Sequence, residues 1–186
     1  MTRQVMAPAV QRKLNRFNEL FHKWNKAINL SAAKNTAEID EHITDCLFLV
    51  QHLDGFARIL DVGSGGGLPV VVTAIARPDI QFTALEPVHK KHAFLRTAAR
   101  ELGLDNLEAH AIRIADHDVR DYDAATSRAT FDLPEWFETG LRFVRPGGTV
   151  FGFEGVPRDD LPEGTERRSY AHDGKSRAIL VLRKPG

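Results

Sequence analysis

The sequence predicts an α/β protein with a mostly parallel, seven-stranded sheet that carries helices on both faces. Short apolar segments alternate with helical segments from about residue 55 onward, which is typical of parallel sheets. Two helical segments come before the first strand, and two strands flank Asp173-Gly174 at the end of the chain. We therefore expect an N-terminal helical extension, residues 1–54, and one compact unit, residues 55–186, that ends in an antiparallel hairpin.

The composition suits a single domain with a short extension. The chain has 186 residues, 42% of them hydrophobic, and its 25 basic side chains balance 25 acidic ones. Whole-chain charge therefore gives no evidence for a nucleic-acid partner. One cysteine, Cys46, excludes an intrachain disulfide, and no apolar run reaches the length of a signal peptide or membrane span. We expect a cytoplasmic protein.

The charge is unevenly distributed along the chain. Residues 1–34 contain one acid, Glu19, and seven basic residues: Arg3, Arg12, Lys13, Arg16, Lys23, Lys26 and Lys34. Such an arm could bind phosphate, or it could be the solvated face of an amphipathic helix. Both interpretations remain open from the sequence.

The predicted elements follow from apolar spacing and turn signals. Helices are expected at Pro8 to about Leu30, at Thr36–Leu53 with Asn35 or Thr36 as cap, and at Pro69–Ala76, Val88–Leu102 and Leu133–Val144. Parallel strands are expected at Ala57–Val62, Ile80–Leu85, Leu107–Ile112, Tyr122–Thr126 and Thr149–Phe153. The closing hairpin is expected at Arg167–Ala171 and Arg177–Arg183.

A glycine-rich loop follows the first predicted strand. Glycine allows a tight turn and lets the backbone approach a ligand closely. A dinucleotide fingerprint would need glycine where Leu68 stands, and the Gly-Lys-Ser/Thr of a phosphate loop is missing. The spacing instead matches the first motif of Rossmann-like class I methyltransferases, whose loop wraps the methionine part of S-adenosylmethionine. Candidate cofactor residues here are Asp61, Gly63, Ser64, Gly65, Gly67 and Leu68; the alternative is a flexible turn.

Two further segments fit an adenosine ligand. Glu86 ends the second strand about twenty residues after the loop. A carboxylate at this position can accept hydrogen bonds from both ribose hydroxyls of an adenosine ligand. Its alternative role is that of an acid facing the dipole of the next helix. After the third strand, the backbone of Ile114 and Ala115 and the side chain of Asp116 are candidates for the adenine edge, with Asp118 as a second choice.

The chain resembles the ribosomal RNA small subunit methyltransferase G family (RsmG/GidB). Four stretches carry the resemblance in the family's order: Trp24–Ser31, His42–Leu47, Ile59–Pro69 and Thr126–Ala129. The glycine motif is shared by many methyltransferases, whereas the Trp-Asn signature combined with Thr-Ser-Arg-Ala is more specific. Within the first stretch, Trp24 and Asn29 are expected to serve in packing and capping.

The resemblance implies methylation of guanine N7 in 16S rRNA of the small ribosomal subunit, with S-adenosylmethionine as donor. Arg128 would then lie beside the cofactor methyl and orient guanine or hold phosphate, unless it forms only a surface ion pair. His42 and Asp45 share one helix face and could close over the cofactor or the guanine, or could make a structural hydrogen bond. We further expect a monomer. We also expect no metal site, because the histidines lack the spacing of metal ligands and are interpreted as surface or loop residues.

Several positions depart from the family pattern. The family's Lys-Gly after the fifth strand is Glu154-Gly155 here, and a carboxylate beside the RNA would repel phosphate. Two other hypotheses therefore remain: a methyltransferase of the same fold with another RNA, a small molecule or a protein as substrate, and a non-catalytic RNA-binding protein with a vestigial cofactor pocket.

Overall fold

The computed structural model describes residues 6–186, so the predicted basic residue Arg3 lies outside the described part. Helix α1 spans Pro8–Ile28 and begins with a proline, whose missing N–H costs nothing at a helix start. It ends at Asn29, which adopts a left-handed conformation and donates its N–H to the Asn25 carbonyl, so the capping role of Asn29 is confirmed. Helix α2 spans Thr36–Val50, and the Asn35 side chain caps it by accepting the Glu38 N–H at 3.0 Å.

Seven strands form one sheet, as the alternating pattern predicts. The strands are β1 (Arg58–Val62), β2 (Gln81–Leu85), β3 (Leu107–His110), β4 (Tyr122–Ser127), β5 (Val144–Glu154), β6 (Glu166–His172) and β7 (Lys175–Arg183). Between them lie helices α3 (Val70–Ala76), α4 (His89–Leu102) and α5 (Leu133–Leu141). The order is β3-β2-β1-β4-β5-β7-β6, with β1 to β5 parallel to one another and β7 antiparallel to both of its neighbours, β5 and β6. The predicted fold class is confirmed.

The boundary between α5 and β5 differs from the prediction. The helix ends at Leu141, and β5 begins at Val144 and includes the turn signal that was expected to separate them. The reason is pairing: Val144 is buried opposite Tyr122, and Gly147 donates its N–H to the carbonyl of Lys184 near the C-terminus. Tertiary hydrogen bonds thus extend a strand through residues with turn chemistry.

The two faces of the sheet carry cores of unequal size. Helices α1 to α4 cover one face, where Phe17, Phe21 and Phe94 pack in edge-to-face and tilted contacts. Trp24 lies 5.6 Å from Phe94, which confirms its packing role. Helix α5 covers the other face, and its Trp136 donates to the Phe151 carbonyl at 2.7 Å. The predicted division at residue 54 stays a prediction, since α1 and α2 share their core with α3 and α4.

The strand order reverses between β1 and β4. Successive strands β2 and β3 are added on one side of β1, whereas β4 and β5 are added on the other. In open α/β sheets a crevice forms at this point, beyond the carboxyl ends of the strands. The glycine loop follows β1 and Arg128 follows β4, so both reach this crevice. No helix among residues 6–186 is long and apolar enough to cross a bilayer.

Candidate active site

The glycine loop combines left-handed backbone with an open face. Gly63, Gly65 and Gly67 have φ of +68°, +52° and +82°, a region that favours glycine. A Cβ at Gly63 would collide with Thr130, and one at Gly67 would collide with Val71. At Gly65 the nearest atom to such a Cβ would be the Gly63 carbonyl oxygen at 3.8 Å. Packing therefore explains two of the glycines, whereas Gly65 keeps space open for a ligand.

The loop borders a cleft of about 540 Å³, which we call the glycine-loop cleft. This volume lies within the range of ligand sites, roughly 300–1,000 Å³. Predicted residues in its wall are His42, Gly63, Ser64, Gly65, Leu68, Glu86 and Arg128. Gly67 faces the core instead, and Asp45 lies outside this wall.

Glu86 links the loop to the end of β2. Its side chain is buried, and its Oε2 accepts the Gly65 N–H at 2.7 Å while Oε1 accepts the Val88 N–H at 2.8 Å. The carboxylate still lines the glycine-loop cleft. Each carboxylate oxygen can accept more than one hydrogen bond, so these two bonds leave acceptor capacity toward the cleft.

A second, largely apolar cleft of about 280 Å³ adjoins the first and shares Gly63, Pro87 and Thr130 with it. We call it the apolar cleft. Ile114 and Ala115 line it, as expected for residues near an adenine, whereas Asp116 is exposed and lies outside both walls. The structure thus brings two of the three candidates in this turn to the site.

Asp61 lies at the end of β1, two residues before the first loop glycine. It is 1% exposed, and among residues 6–186 no group donates to either carboxylate oxygen. The hydroxyl of Thr126, its register partner on β4, is likewise buried without a partner there. Burial raises the pKa of Asp61 to about 7; the neighbouring Ser64 hydroxyl lowers this pKa in part, and the charge of Glu86 raises it further. Unsatisfied buried groups are uncommon and often mark a place completed by water or a ligand.

The three candidate catalytic residues come together at the end of β4. Arg128 Nη2 donates to Asp45 Oδ2 at 3.2 Å and to His42 Nδ1 at 3.3 Å. Partial burial, followed by the charge of Arg128, lowers the pKa of His42 below its usual value. A neutral imidazole suits this contact, because its Nδ1 can accept from the guanidinium. Arg128 is not a surface ion pair, since Asp45 is 3% exposed and Arg128 16%.

Two further residues on the C-terminal hairpin complete this cluster. The Tyr170 hydroxyl donates to Asp45 Oδ1 at 2.6 Å, and Arg177 Nη1 lies 3.2 Å from Asp45 Oδ2. Sequence reasoning missed both. One signal was available: the tight turn at Asp173-Gly174 places Tyr170 directly opposite Arg177 in the hairpin. Nothing local in the sequence connects that pair to α2.

Glu154 does not present a negative charge to the surface. It is 4% exposed, and its carboxylate accepts Arg167 Nε at 2.6 Å, Arg167 Nη2 at 2.9 Å and the Arg158 N–H at 3.1 Å. The expectation that this residue repels phosphate is therefore wrong, because an arginine on β6 neutralises it. His117 also departs from its expected surface position, since it is buried and lies 2.9 Å from the Tyr122 hydroxyl.

Comparison with solved structures supports the fold over nearly the whole chain. The O-methyltransferase TomG from Streptomyces achromogenes, solved with SAM, matches with a TM-score of 0.63 and 16% identity over 97% of this chain and 91% of that one. An O-methyltransferase from Bacillus cereus in complex with SAH gives a TM-score of 0.63 and 15% identity over 97% and 92%. The fold is therefore that of the S-adenosylmethionine-dependent methyltransferases, which is the class that the strand order and the glycine loop define.

Sequence comparison narrows this class to one family. Residues 10–184 match the family model described as rRNA small subunit methyltransferase G. Relatives named "Ribosomal RNA small subunit methyltransferase G" include one from Chromobacterium violaceum, 40% identical over 81% of this chain and 75% of its own. One from Neisseria gonorrhoeae is 36% identical over 96% and 91%. The chain belongs to the rRNA small subunit methyltransferase G family.

Proposed function

We propose that this protein transfers a methyl group from S-adenosylmethionine to N7 of a guanine in 16S rRNA of the small ribosomal subunit. The observation that carries the proposal is that two features lie in one cleft. The glycine loop lines this cleft, and so does Arg128, which is held by Asp45 and His42. The names of the 36–40% identical relatives support the rRNA substrate.

The residues present fit the cofactor. We propose that the loop residues Gly63, Ser64, Gly65 and Leu68 receive its methionine part, that Glu86 receives the ribose, and that the apolar cleft at Ile114 and Ala115 receives the adenine. The open position at Gly65 supports a bound ligand there, whereas Asp61 is buried, lines neither cleft and stays a prediction. Gly67 contributes through packing, and Asp116 stays a prediction. When bound, the cofactor supplies an electrophilic methyl group.

Methylation of guanine N7 requires few catalytic groups from the protein. Guanine N7 carries an unprotonated lone pair, so the site needs no general base and acts by holding the two reactants in line. Arg128 has five N–H donors and stands in the wall of the glycine-loop cleft, where it can bond an acceptor edge of the base. We propose Arg128 as the catalytic residue that touches substrate, with His42 in the same wall and Asp45 holding the guanidinium.

The proposal extends to the setting of the enzyme. Its partner is 16S rRNA or the small subunit, so its place of action is the cytoplasm. The expectation of a monomer stays a prediction. Among the described residues no cluster of three metal-ligating side chains occurs, and the proposed chemistry requires none.

The test is methyl transfer with defined acceptors. Purified protein is incubated with S-adenosylmethionine and either undermethylated 16S rRNA or undermethylated small-subunit particles, and the digested nucleosides are separated by reverse-phase chromatography. We expect 7-methylguanosine with at least one acceptor and none with Gly65→Val. A protein that binds the cofactor, leaves both acceptors unmethylated and modifies a metabolite pool would contradict the rRNA assignment. Absence of cofactor binding in calorimetry would instead favour a non-catalytic RNA-binding protein.

A further inference from the structure

A third cleft lies on the other side of Arg128. It has a volume of about 200 Å³ and is bounded by the ends of β4 and β5, by α2 and by the C-terminal hairpin; we call it the hairpin cleft. Its wall consists of Asp45, Arg128, Ala129, Phe153, Glu154, Gly155, Tyr170 and Arg177. Arg128 and Ala129 belong to the walls of both this cleft and the glycine-loop cleft, so the two clefts meet there.

We propose that the hairpin cleft is the seat of the acceptor guanine, which stacks on Phe153 and presents its Hoogsteen edge to Arg128. This inference rests on the proposed function, because it assigns the base that the enzyme methylates to a place in the structure. Its first support is position: a methyl acceptor must lie next to the donor site, and the hairpin cleft shares Arg128 and Ala129 with the wall of that site.

The second support is the balance of charge in the wall. Asp45 and Glu154 are the acidic members, and both are already paired, Asp45 with two guanidiniums and Glu154 with Arg167. A buried carboxylate without such partners would repel the acceptor edge of a base and its phosphate. With the acids compensated, the cleft offers guanidinium N–H groups of Arg128 and Arg177, which are 16% and 25% exposed.

The third support is the match between these donors and one particular base. Guanine presents N7 and O6 side by side as acceptors, whereas adenine presents N7 beside an amino donor. When N7 points toward the glycine-loop cleft, the group next to N7 on the base lies near Arg128, which lines both clefts. That group is O6 in guanine and an amino group in adenine. Arg128 can donate to O6 but not to an amino group, so it favours guanine over adenine.

The fourth support is an aromatic surface held in place. Phe153 is half-buried on β5, and the Arg128 guanidinium carbon lies 5.8 Å from its ring centroid. Tyr170 forms the adjoining wall, and its ring is stacked on Phe48 at 4.0 Å on the other side. Splayed-out bases commonly stack on such rings. An N7-methylated guanine also carries a positive charge, which an aromatic face accommodates.

The backbone at the junction is itself unusual. Ala129 has φ of +57°, a conformation that non-glycine residues seldom adopt. Such strain tends to occur at functional sites, where the surrounding structure maintains it. Ala129 lines both clefts, so this conformation occurs where the two clefts adjoin.

The first experiment removes the ring and keeps a matched control. Phe153→Leu and Phe153→Trp are compared with Phe56→Leu, which alters another half-buried phenylalanine that packs on Phe151 away from both clefts. We expect Phe153→Leu to lower kcat/KM for the RNA acceptor by about ten- to a hundredfold, the effect of one lost base-stacking contact. Phe153→Trp should retain most activity, and calorimetric affinity for S-adenosylmethionine should stay unchanged in all three variants. Equal losses in Phe153→Leu and Phe56→Leu would overturn the proposal.

The second experiment locates the acceptor guanine on the protein without measuring turnover. RNA carrying 6-thioguanosine at the methylated position is bound to the wild-type protein and irradiated, and the crosslinked peptide is identified by mass spectrometry. Crosslinks to peptides that contain Arg128, Phe153 or Tyr170 would support the seat. Crosslinks confined to α1 or to residues 112–116 would overturn it. A wild-type protein that binds S-adenosylmethionine but methylates no RNA would overturn the proposed function itself, and the seat with it.

Discussion

The glycine-loop cleft and the hairpin cleft adjoin at Arg128 but are built in different ways. The first is built around the main chain of the glycine loop: Gly63 and Gly65 are left-handed, and Glu86 holds the N–H of Gly65. The second consists of side chains from α2, β4, β5 and the hairpin, held by one buried carboxylate, Asp45. We infer that a site for one invariant cofactor can be formed around a glycine-rich backbone, whereas a site for the acceptor needs side chains that recognise a particular base.

The sharpest test of this contrast is Gly65→Val. A side chain at this position enters the open face of the glycine-loop cleft, so we expect affinity for S-adenosylmethionine to fall by about a thousandfold or more, as for a filled binding site. Calorimetry measures the loss. The control is Gly55→Val, which has a similarly positive φ of +82° and open space around it but lies away from the cleft. If the two variants bind the cofactor equally well, the loop does not hold it.

The buried carboxylate at the end of β1, next to the glycine loop, should respond to pH. The buried Asp61 has a pKa of about 7, above the value of 3.8 for an exposed aspartate. The folded state therefore binds more protons than the unfolded state between these values, and the free energy of unfolding should decrease as pH rises from about 4 to about 7, by at most about 1.4 kcal/mol per pH unit. Other carboxylates titrate in this window too, so urea denaturation of wild type is compared with Asp61→Asn. A difference between the two that does not change with pH would contradict the raised pKa.

At the boundary between the clefts, Arg128→Ala should separate binding from turnover. We expect kcat with rRNA to fall by about a hundredfold, the usual effect of removing one donor from the reacting centre. Affinity for S-adenosylmethionine should change much less, because we expect the glycine loop and Glu86 to hold most of the cofactor. Arg145→Ala, which alters an exposed arginine paired with Asp123, is the control. Equal losses in cofactor affinity and turnover would show that Arg128 serves the donor rather than the acceptor.

In the hairpin cleft, Asp45→Asn should mainly reduce stability. Arg128 and Arg177 would then face each other without their shared counter-ion, and we expect a loss of about 2 kcal/mol in the free energy of unfolding. This is below the ~3–5 kcal/mol of a fully buried pair, because both guanidiniums retain some contact with water. Asp132→Asn, in an exposed pair with Arg158, should cost much less, because exposed ion pairs contribute little to stability. Similar losses in urea denaturation would show that the Asp45 cluster has no special energetic role.

Prediction from the sequence succeeded where the determining contacts are local. Strand and helix periodicity predicted all seven strands, and the spacing from Gly63 to Glu86 predicted five residues of the glycine-loop cleft: Gly63, Ser64, Gly65, Leu68 and Glu86. The errors have a common cause in long-range pairing. The strand β5 continues through a turn signal because it pairs with Tyr122 and with the C-terminus, and Glu154 loses its surface character because Arg167 lies beside it.

The sequence by itself determined the fold class and the glycine loop, because backbone conformation depends on residues close together in the chain. Only the tertiary structure decided what surrounds Asp45, since Tyr170 lies 125 positions away from it in sequence and meets it in space. Side-chain contacts of that kind depend on how helix α2 and the hairpin pack against the sheet. The contacts around the proposed seat of the acceptor therefore depend mainly on packing, whereas the glycine loop of the donor site is visible in the sequence.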